Sequence, residues 1–164
     1  MASGDIYDGE WREDQAHGMG VKIFNTGDVH SGMYRYDVRE GHGLYQFANG
    51  DEYAGEWERG TQSGWGLFRS SNNNSAVFEG RWQNGKRHGP GYRRTMGGRY
   101  LEIWKRGTRE CSLRVSEGGA PPAKHLWEMT KSYWETNDDD DNDDDESHDW
   151  NWYAARCGLA VDPS

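Results

Sequence analysis

The stretch Gly80-Arg81-Trp82-Gln83-Asn84-Gly85-Lys86-Arg87 comes within one residue of a phosphate-cradling loop. In such a loop glycines free the backbone N–H groups for phosphate oxygens and a Lys reaches the terminal phosphates. Arg87 fills the place where a Ser or Thr hydroxyl must reach magnesium, and the surrounding pattern is that of a hairpin, not of a strand running into a helix. Ser63 lies in Gly60-Thr61-Gln62-Ser63-Gly64, the wrong spacing for a nucleophile elbow. His17 and His88 each precede a glycine at matching places of a repeat, so periodicity accounts for them. The acidic run at 138–141 and 143–146 lacks the central Gly and terminal Glu spacing of a calcium loop. Cys111 and Cys157 are too few for a disulfide framework or a zinc site and are expected to be free thiols. No nucleophile, base and oxyanion donor assemble. The expectation is a protein that is not an enzyme and has no cofactor and no metal.

The elements that would position these residues are set by a repeat. Tyr7-Asp8-Gly9-Glu10-Trp11 recurs as Tyr53-Ala54-Gly55-Glu56-Trp57 and as Phe78-Glu79-Gly80-Arg81-Trp82, with a weaker copy at His30-Ser31-Gly32-Met33-Tyr34 and a degenerate one at Tyr100-Leu101-Glu102-Ile103-Trp104. The first positions, 7, 30, 53, 78 and 100, are spaced by 23, 23, 25 and 22 residues. Each of the first four copies is followed by Gly-x-Gly, at Gly18/Gly20, Gly41/Gly43, Gly64/Gly66 and Gly89/Gly91. The ring, Gly and Trp of a copy lie two apart, which is strand periodicity and puts all three on one face. Gly-x-Gly is expected to open a second strand, whose missing side chains leave room for neighbouring rings. Thr26-Gly27, Asn49-Gly50 and Gly97-Gly98 mark tight turns between units, and the longer Ser70–Asn74 connection is expected to bulge outward.

Composition agrees with a sheet held by rings. Leu, Ile, Val and Phe together make only about 12% of the 164 residues, which excludes a large aliphatic core, but 9 Trp, 9 Tyr and 23 Gly are far more than a disordered chain carries. No apolar run approaches the roughly 20 residues of a membrane helix, and the N-terminus has no signal or transit pattern, so a soluble, cytoplasmic protein is expected.

The pattern Tyr-x-Gly-x-Trp, a spacer, Gly-x-Gly and a Gly-containing turn resembles the MORN (membrane occupation and recognition nexus) repeat, and 78–91 matches throughout. The likeness covers residues 5 to 107. It implies an all-β fold: an elongated, twisted, single-layer antiparallel sheet of tandem hairpins with a groove. It also implies protein binding, in some members phospholipid binding, and no chemistry. The second copy departs at His30 and Tyr34. The fifth departs at Glu102 and lacks Gly-x-Gly, so a single terminal strand or half-repeat is expected there. The expected organisation is a repeat array over 5–114 (four repeats plus the degenerate fifth), a linker and capping helix over 115–136, an acidic linker over 137–149 and an aromatic segment over 150–164.

Charge is segregated: residues 1–80 carry −7, 81–115 carry +8 and 116–164 carry −10. Arg93, Arg94, Arg99, Lys105, Arg106 and Arg109 form a candidate anion-binding end, which either binds phosphate headgroups or an acidic partner or neutralises the chain's own acidic run. After Gly118-Gly119-Ala120-Pro121-Pro122, the spacing of Leu126, Trp127, Thr130, Tyr133 and Trp134 predicts an amphipathic helix over about 123–135 that caps the sheet or docks on another subunit. Trp150, Trp152 and Tyr153 form a candidate docking segment, in trans or in cis. The expected function is a scaffold or adaptor holding a helix or extended peptide in a groove lined by Tyr7, Trp11, Tyr34, Tyr53, Trp57, Phe78, Trp82 and Trp104. Such a chain would belong to a multi-subunit assembly, and the resemblance points to a cytoskeletal, ciliary or axonemal setting. The alternatives are a peripheral binder of anionic phospholipid and a regulatory subunit of an enzyme complex; no nucleic acid is expected.

Overall fold

The computed structural model describes residues 4–72, 75–115, 123–125 and 128. Ten strands run in chain order across one antiparallel sheet: β1 (Ile6–Arg12), β2 (Gln15–Ile23), β3 (Val29–Arg35), β4 (Val38–Gln46), β5 (Glu52–Glu58), β6 (Thr61–Arg69), β7 (Val77–Gln83), β8 (Lys86–Thr95), β9 (Gly98–Lys105) and β10 (Thr108–Val115). Every strand pairs only with its neighbours in sequence, so the fold is a stack of five hairpins. The fifth unit is a complete hairpin, β9–β10, and not the half-repeat that its sequence suggests, because Arg106-Gly107 supplies a turn as good as the others.

All five hairpin turns place two consecutive residues at positive φ: Glu13-Asp14, Tyr36-Asp37, Arg59-Gly60, Asn84-Gly85 and Arg106-Gly107. This is the type I′ geometry whose twist matches that of the flanking strands. Each hairpin also shifts register once, between Gly9 and Trp11, Gly32 and Tyr34, Gly55 and Glu56, Gly80 and Trp82, and Arg109 and Cys111. Such bulges bend the strand and increase its twist. The Gly-x-Gly pairs lie inside the second strands, three residues past their starts, beside these bulges.

Register aligns the glycines across the sheet. Gly9, Gly20, Gly32, Gly43, Gly55, Gly66, Gly80 and Gly91 are successive Cα partners, and the row ends on Glu102. A strip of sheet eight strands wide therefore carries no Cβ, and aromatic rings lie in the space. The core is that layer of rings on one face, with Tyr45, Tyr53, Trp57, Phe78 and Trp82 at its centre and Phe24, Phe47, Phe68 and Trp104 against it. A smaller cluster on the opposite face joins Tyr92, Leu101 and Ala123, with Trp65 and Val115 alongside.

Of the capping helix, residues 123–125 and 128 are described and are helical. The remainder of that helix, the acidic linker and the segment with Trp150, Trp152 and Tyr153 lie outside the described residues. Among the described residues no helix is long and apolar enough to cross a membrane.

Candidate functional site: the ring face

The rings interlock across the repeat boundaries. Tyr7 meets Trp11 and Tyr34 edge to face, at centroid separations of 5.0 and 5.2 Å. His30 meets Tyr34 and Trp57 at 5.0 and 5.2 Å. Tyr53 meets Trp57 and Trp82 at 5.3 and 5.1 Å, and Phe78 meets Trp82 and Trp104 at 6.1 and 5.9 Å. The first ring of each unit is thus wedged between its own fifth residue and that of the next unit. Edge-to-face pairs set the positive ring edge against the negative face. Nine rings form one continuous zipper.

That zipper revises the expected groove lining. Tyr34, Tyr53, Trp57, Phe78 and Trp82 are buried within the chain itself, at 0 to 7% exposed. Tyr53 and Phe78 are core because the glycine row lets each ring lie on the strand beside it and the next unit's Trp covers it, whereas Tyr34, Trp57 and Trp82 are covered by the first ring of the preceding unit. Tyr7 and Trp104 are half-buried, and Trp11, on β1 at the margin of the described sheet, is 49% exposed.

Two guanidinium groups close over the layer, at equivalent places two residues before a Gly-x-Gly. Arg39 lies 4.4 Å from the Trp57 ring centroid and 5.1 Å from Tyr45, and donates to the Gly60 carbonyl at 2.7 Å. Arg87 lies 4.3 Å from Phe78 and 4.7 Å from Trp104, and burial pulls its pKa below the ordinary arginine value. Period-2 spacing carries Arg87 onto the ring face, which is the structural reason it serves as a ring partner and not as part of a phosphate loop. Arg39 and Arg87 were legible as a repeated position but escape a reading that looks for charge clusters.

The basic residues separate. Arg93 and Arg109 turn to the ring face and share Glu102, whose carboxylate is fully buried: Arg93 Nε donates at 2.6 Å, Arg109 at 3.2 Å and Trp104 Nε1 at 3.1 Å. Arg94 and Arg99 point to the opposite face, where they are register partners at the β8–β9 turn and Arg99 stacks on Tyr92 at 4.0 Å. Lys105 and Arg106 sit at the other end of β9. The six therefore do not form the single anion-binding patch that their closeness in sequence suggests, because successive strand residues face opposite ways.

Five further carboxylates bond the backbone of turns and of Gly-x-Gly. Asp5, Asp28 and Asp51, spaced by 23 residues, each accept a backbone N–H from the next turn, from Asn25 at 3.1 Å, Ala48 at 2.8 Å and Ser71 at 2.8 Å. Those bonds hold all three carboxyls below the ordinary carboxylate range. Glu10 and Glu56 accept the N–H inside Gly-x-Gly, from Met19 at 2.9 Å and Trp65 at 3.0 Å. His17 and His88 stand six strands apart, and Ser63 Oγ donates to the Glu58 carboxylate at 3.3 Å. Among the described residues no group of His, Cys, Asp or Glu could hold a metal ion.

Comparison with known families agrees with this geometry. A family model described as the MORN repeat matches residues 7–29, 30–52, 53–75 and 78–98, more than half of the chain. No curated protein matches the chain. MORN repeats occur in scaffold and membrane-binding proteins, and the family is generally non-enzymatic. The four matches begin on the rings that open the zipper's units, and the chain belongs to the MORN repeat family.

Proposed function

We propose that this chain is a non-enzymatic scaffold or adaptor that binds a protein partner at the uncovered end of its ring zipper. The observation that carries the reading is the asymmetry of that zipper. At the β9 end, Trp104 is held by Glu102 and covered by Arg87. At the β1 end, Trp11 is half exposed beside Tyr7, on a strand at the margin of the sheet. An edge strand presents unpaired N–H and C=O groups, and a large aromatic beside them supplies an anchor. An extended peptide can add to β1 by main-chain hydrogen bonds while a side chain packs on Trp11, and a helix can lay an apolar face there.

A protein partner is favoured over anionic phospholipid because the six basic side chains do not converge and two of them share Glu102, which cancels one of their two charges. Membership of a multi-subunit assembly, a cytoplasmic location and a cytoskeletal or ciliary setting complete the proposal and rest on the family alone. A regulatory subunit of an enzyme complex is the same reading with an enzyme as partner.

The test is affinity enrichment with the full chain, Trp11→Ala and a chain lacking 147–164, alongside sedimentation with phosphoinositide vesicles. A partner lost with Trp11→Ala and kept by the truncated chain supports the reading. A partner lost only on truncation moves the site to the tail, and vesicle binding that survives roughly 0.2 M salt overturns the preference for protein.

A further inference from the structure

The face opposite the zipper carries a mainly apolar row, interrupted by Ser31 and Glu79, through the register positions Val21, Ser31, Leu44, Ala54, Leu67, Glu79, Tyr92, Leu101 and Leu113. Its two ends differ. At the far end Tyr92 is 4% and Leu101 1% exposed, and the helical residue Ala123 packs on them. At the near end Val21 is 39% and Leu44 37% exposed, flanked by exposed Met19, Ile23 and Met33. One strip of the same chemistry is covered where the chain crosses it and bare where it does not.

We propose that the chain's own C-terminal segment, with Trp150, Trp152 and Tyr153 as anchors, docks on the bare end of this strip, over Met19, Val21, Met33 and Leu44. The proposal does not depend on the partner site at Trp11. Three observations select this occupant. The chain leaves the described sheet on this very face, with Ala123 already seated in the strip. The length suffices: the 22 residues from Glu128 to Trp150 extend to about 75 Å, whereas β8 to β2 is six strand spacings, about 30 Å.

The third observation is charge. The segment between Glu128 and the anchors holds the acidic run 138–146, and the face it must cross carries Arg94 and Arg99 beside a depression of about 500 Å³ that Leu67, Val77, Tyr92 and one acid, Glu79, also line, a balance that is still positive. Neither of these two arginines bonds Glu102, whose arginine partners are Arg93 and Arg109. Acid over Arg94 and Arg99, then Trp and Tyr over Val21 and Leu44, puts each part of the tail on a surface of matching chemistry. Trp and Tyr give large contact areas at low entropy cost, which suits a tethered anchor.

Cys157 lies four residues beyond Tyr153 and reports on docking. In a full-length Cys111→Ser background, Val21→Cys and, separately, Leu44→Cys place a second thiol on the strip, and Asp14→Cys places one at the exposed β1–β2 turn as the tethered but undocked reference. Under mild oxidation in dilute protein, a tether alone gives a thiol concentration of about millimolar order. Docking is expected to close the strip disulfides at least about tenfold faster than the turn disulfide, within one chain and independently of protein concentration. Replacing Asp138 to Asp141 by Asn should slow closure at the strip severalfold and leave the turn unchanged. Equal rates at strip and turn overturn the proposal, and cross-linking only between chains overturns it in favour of a second copy as the occupant.

Discussion

The phenol ring of Tyr53 lies directly on Gly66, so that a Cβ at that position would fall inside the ring's own volume. The hydroxyl then reaches the Glu56 carbonyl at 2.9 Å. The same relation holds for Tyr7 on Gly20, His30 on Gly43 and Phe78 on Gly91. The glycine is required by the ring, and the ring by the absence of any other filler for a single-layer sheet.

Gly66→Ala must therefore expel the Tyr53 ring or separate β5 from β6. Overpacking of this kind costs about 1–3 kcal/mol, and the upper end applies because the obstacle is a fully buried ring in contact with two Trp side chains. Gly97→Ala, where a Cβ would make only an ordinary contact at 3.6 Å with Thr95, serves as the control. Urea unfolding of the two variants should separate them by more than about 1 kcal/mol; equal midpoints would show that the layer yields.

The sequence displays this relation openly, since a ring followed 13 residues later by a glycine recurs at 7/20, 30/43, 53/66 and 78/91. Fold class, hairpin stacking and turn positions follow from that spacing. Exposure does not, because whether a fifth-position ring such as Trp57 is open depends on a ring 27 residues away in sequence and two strands away in space, His30 in its case. Arg93 and Arg94 show a different limit: adjacent in sequence, they read as one patch, yet strand alternation sends one to Glu102 and the other to the apolar strip. The 23-residue ladder of Asp5, Asp28 and Asp51 was readable, but a search for chemistry passes over carboxylates that serve turns.

His30 carries a pH dependence. It is fully buried, its Nδ1 lies 2.8 Å from the Tyr34 hydroxyl, and burial first, then the nearby Arg39 charge, lowers its pKa from 6.5 to about 4. Between those values the unfolded chain binds the proton and the folded chain does not, so this contribution is complete above pH 6.5 and is lost as pH falls toward 4. The shift corresponds to about 3 kcal/mol at most. His30→Tyr, which installs the ring found at positions 7 and 53, should flatten stability over this window. Urea midpoints from pH 4 to 7 with the same slope for both proteins would rule His30 out as the source.

Glu102 breaks the glycine row and supplies the acceptor for two arginines and a tryptophan. Removing one partner from a buried pair costs about 3–5 kcal/mol, but Arg93 and Arg109 are partly exposed and can rehydrate, so Glu102→Ala should cost nearer about 2–3. Glu102→Gln keeps an acceptor for Trp104 Nε1 and should cost less. Thermal unfolding ranks the variants, and a Glu102→Gly protein as stable as the parent would show that the network is dispensable once the glycine row is restored.

Asp28 ties the second unit to the turn after it. Its carboxylate accepts the Ala48 N–H, and that bond, then the Tyr45 hydroxyl at 2.8 Å, keeps its pKa below 3.8. A depressed carboxyl stabilises the fold fully above its unfolded value and loses that contribution progressively as pH falls from there through the lowered folded value. Asp28→Ala should speed amide exchange at Ala48 and leave Ser71, held by Asp51, unchanged. Acceleration of both amides alike would mean that the turns do not act separately.

Trp11 and Trp57 occupy the same place in their units and differ only in cover. Trp57 is enclosed by Tyr53, His30, Tyr45 and Arg39, so Trp57→Ala should cost about 3–5 kcal/mol in stability and impair binding only by unfolding the sheet. Trp11 is half exposed and packs edge to face on Tyr7, so Trp11→Ala should cost about 1 kcal/mol in stability. If it anchors a partner, the same change should weaken binding by about 2 kcal/mol, roughly 30-fold, with circular dichroism unchanged. The dissociation between the two effects carries the argument. A Trp11→Ala protein that folds and binds as the parent does would remove the open end of the zipper as the binding surface, while a loss confined to Trp57→Ala would reduce the rings to a purely structural role.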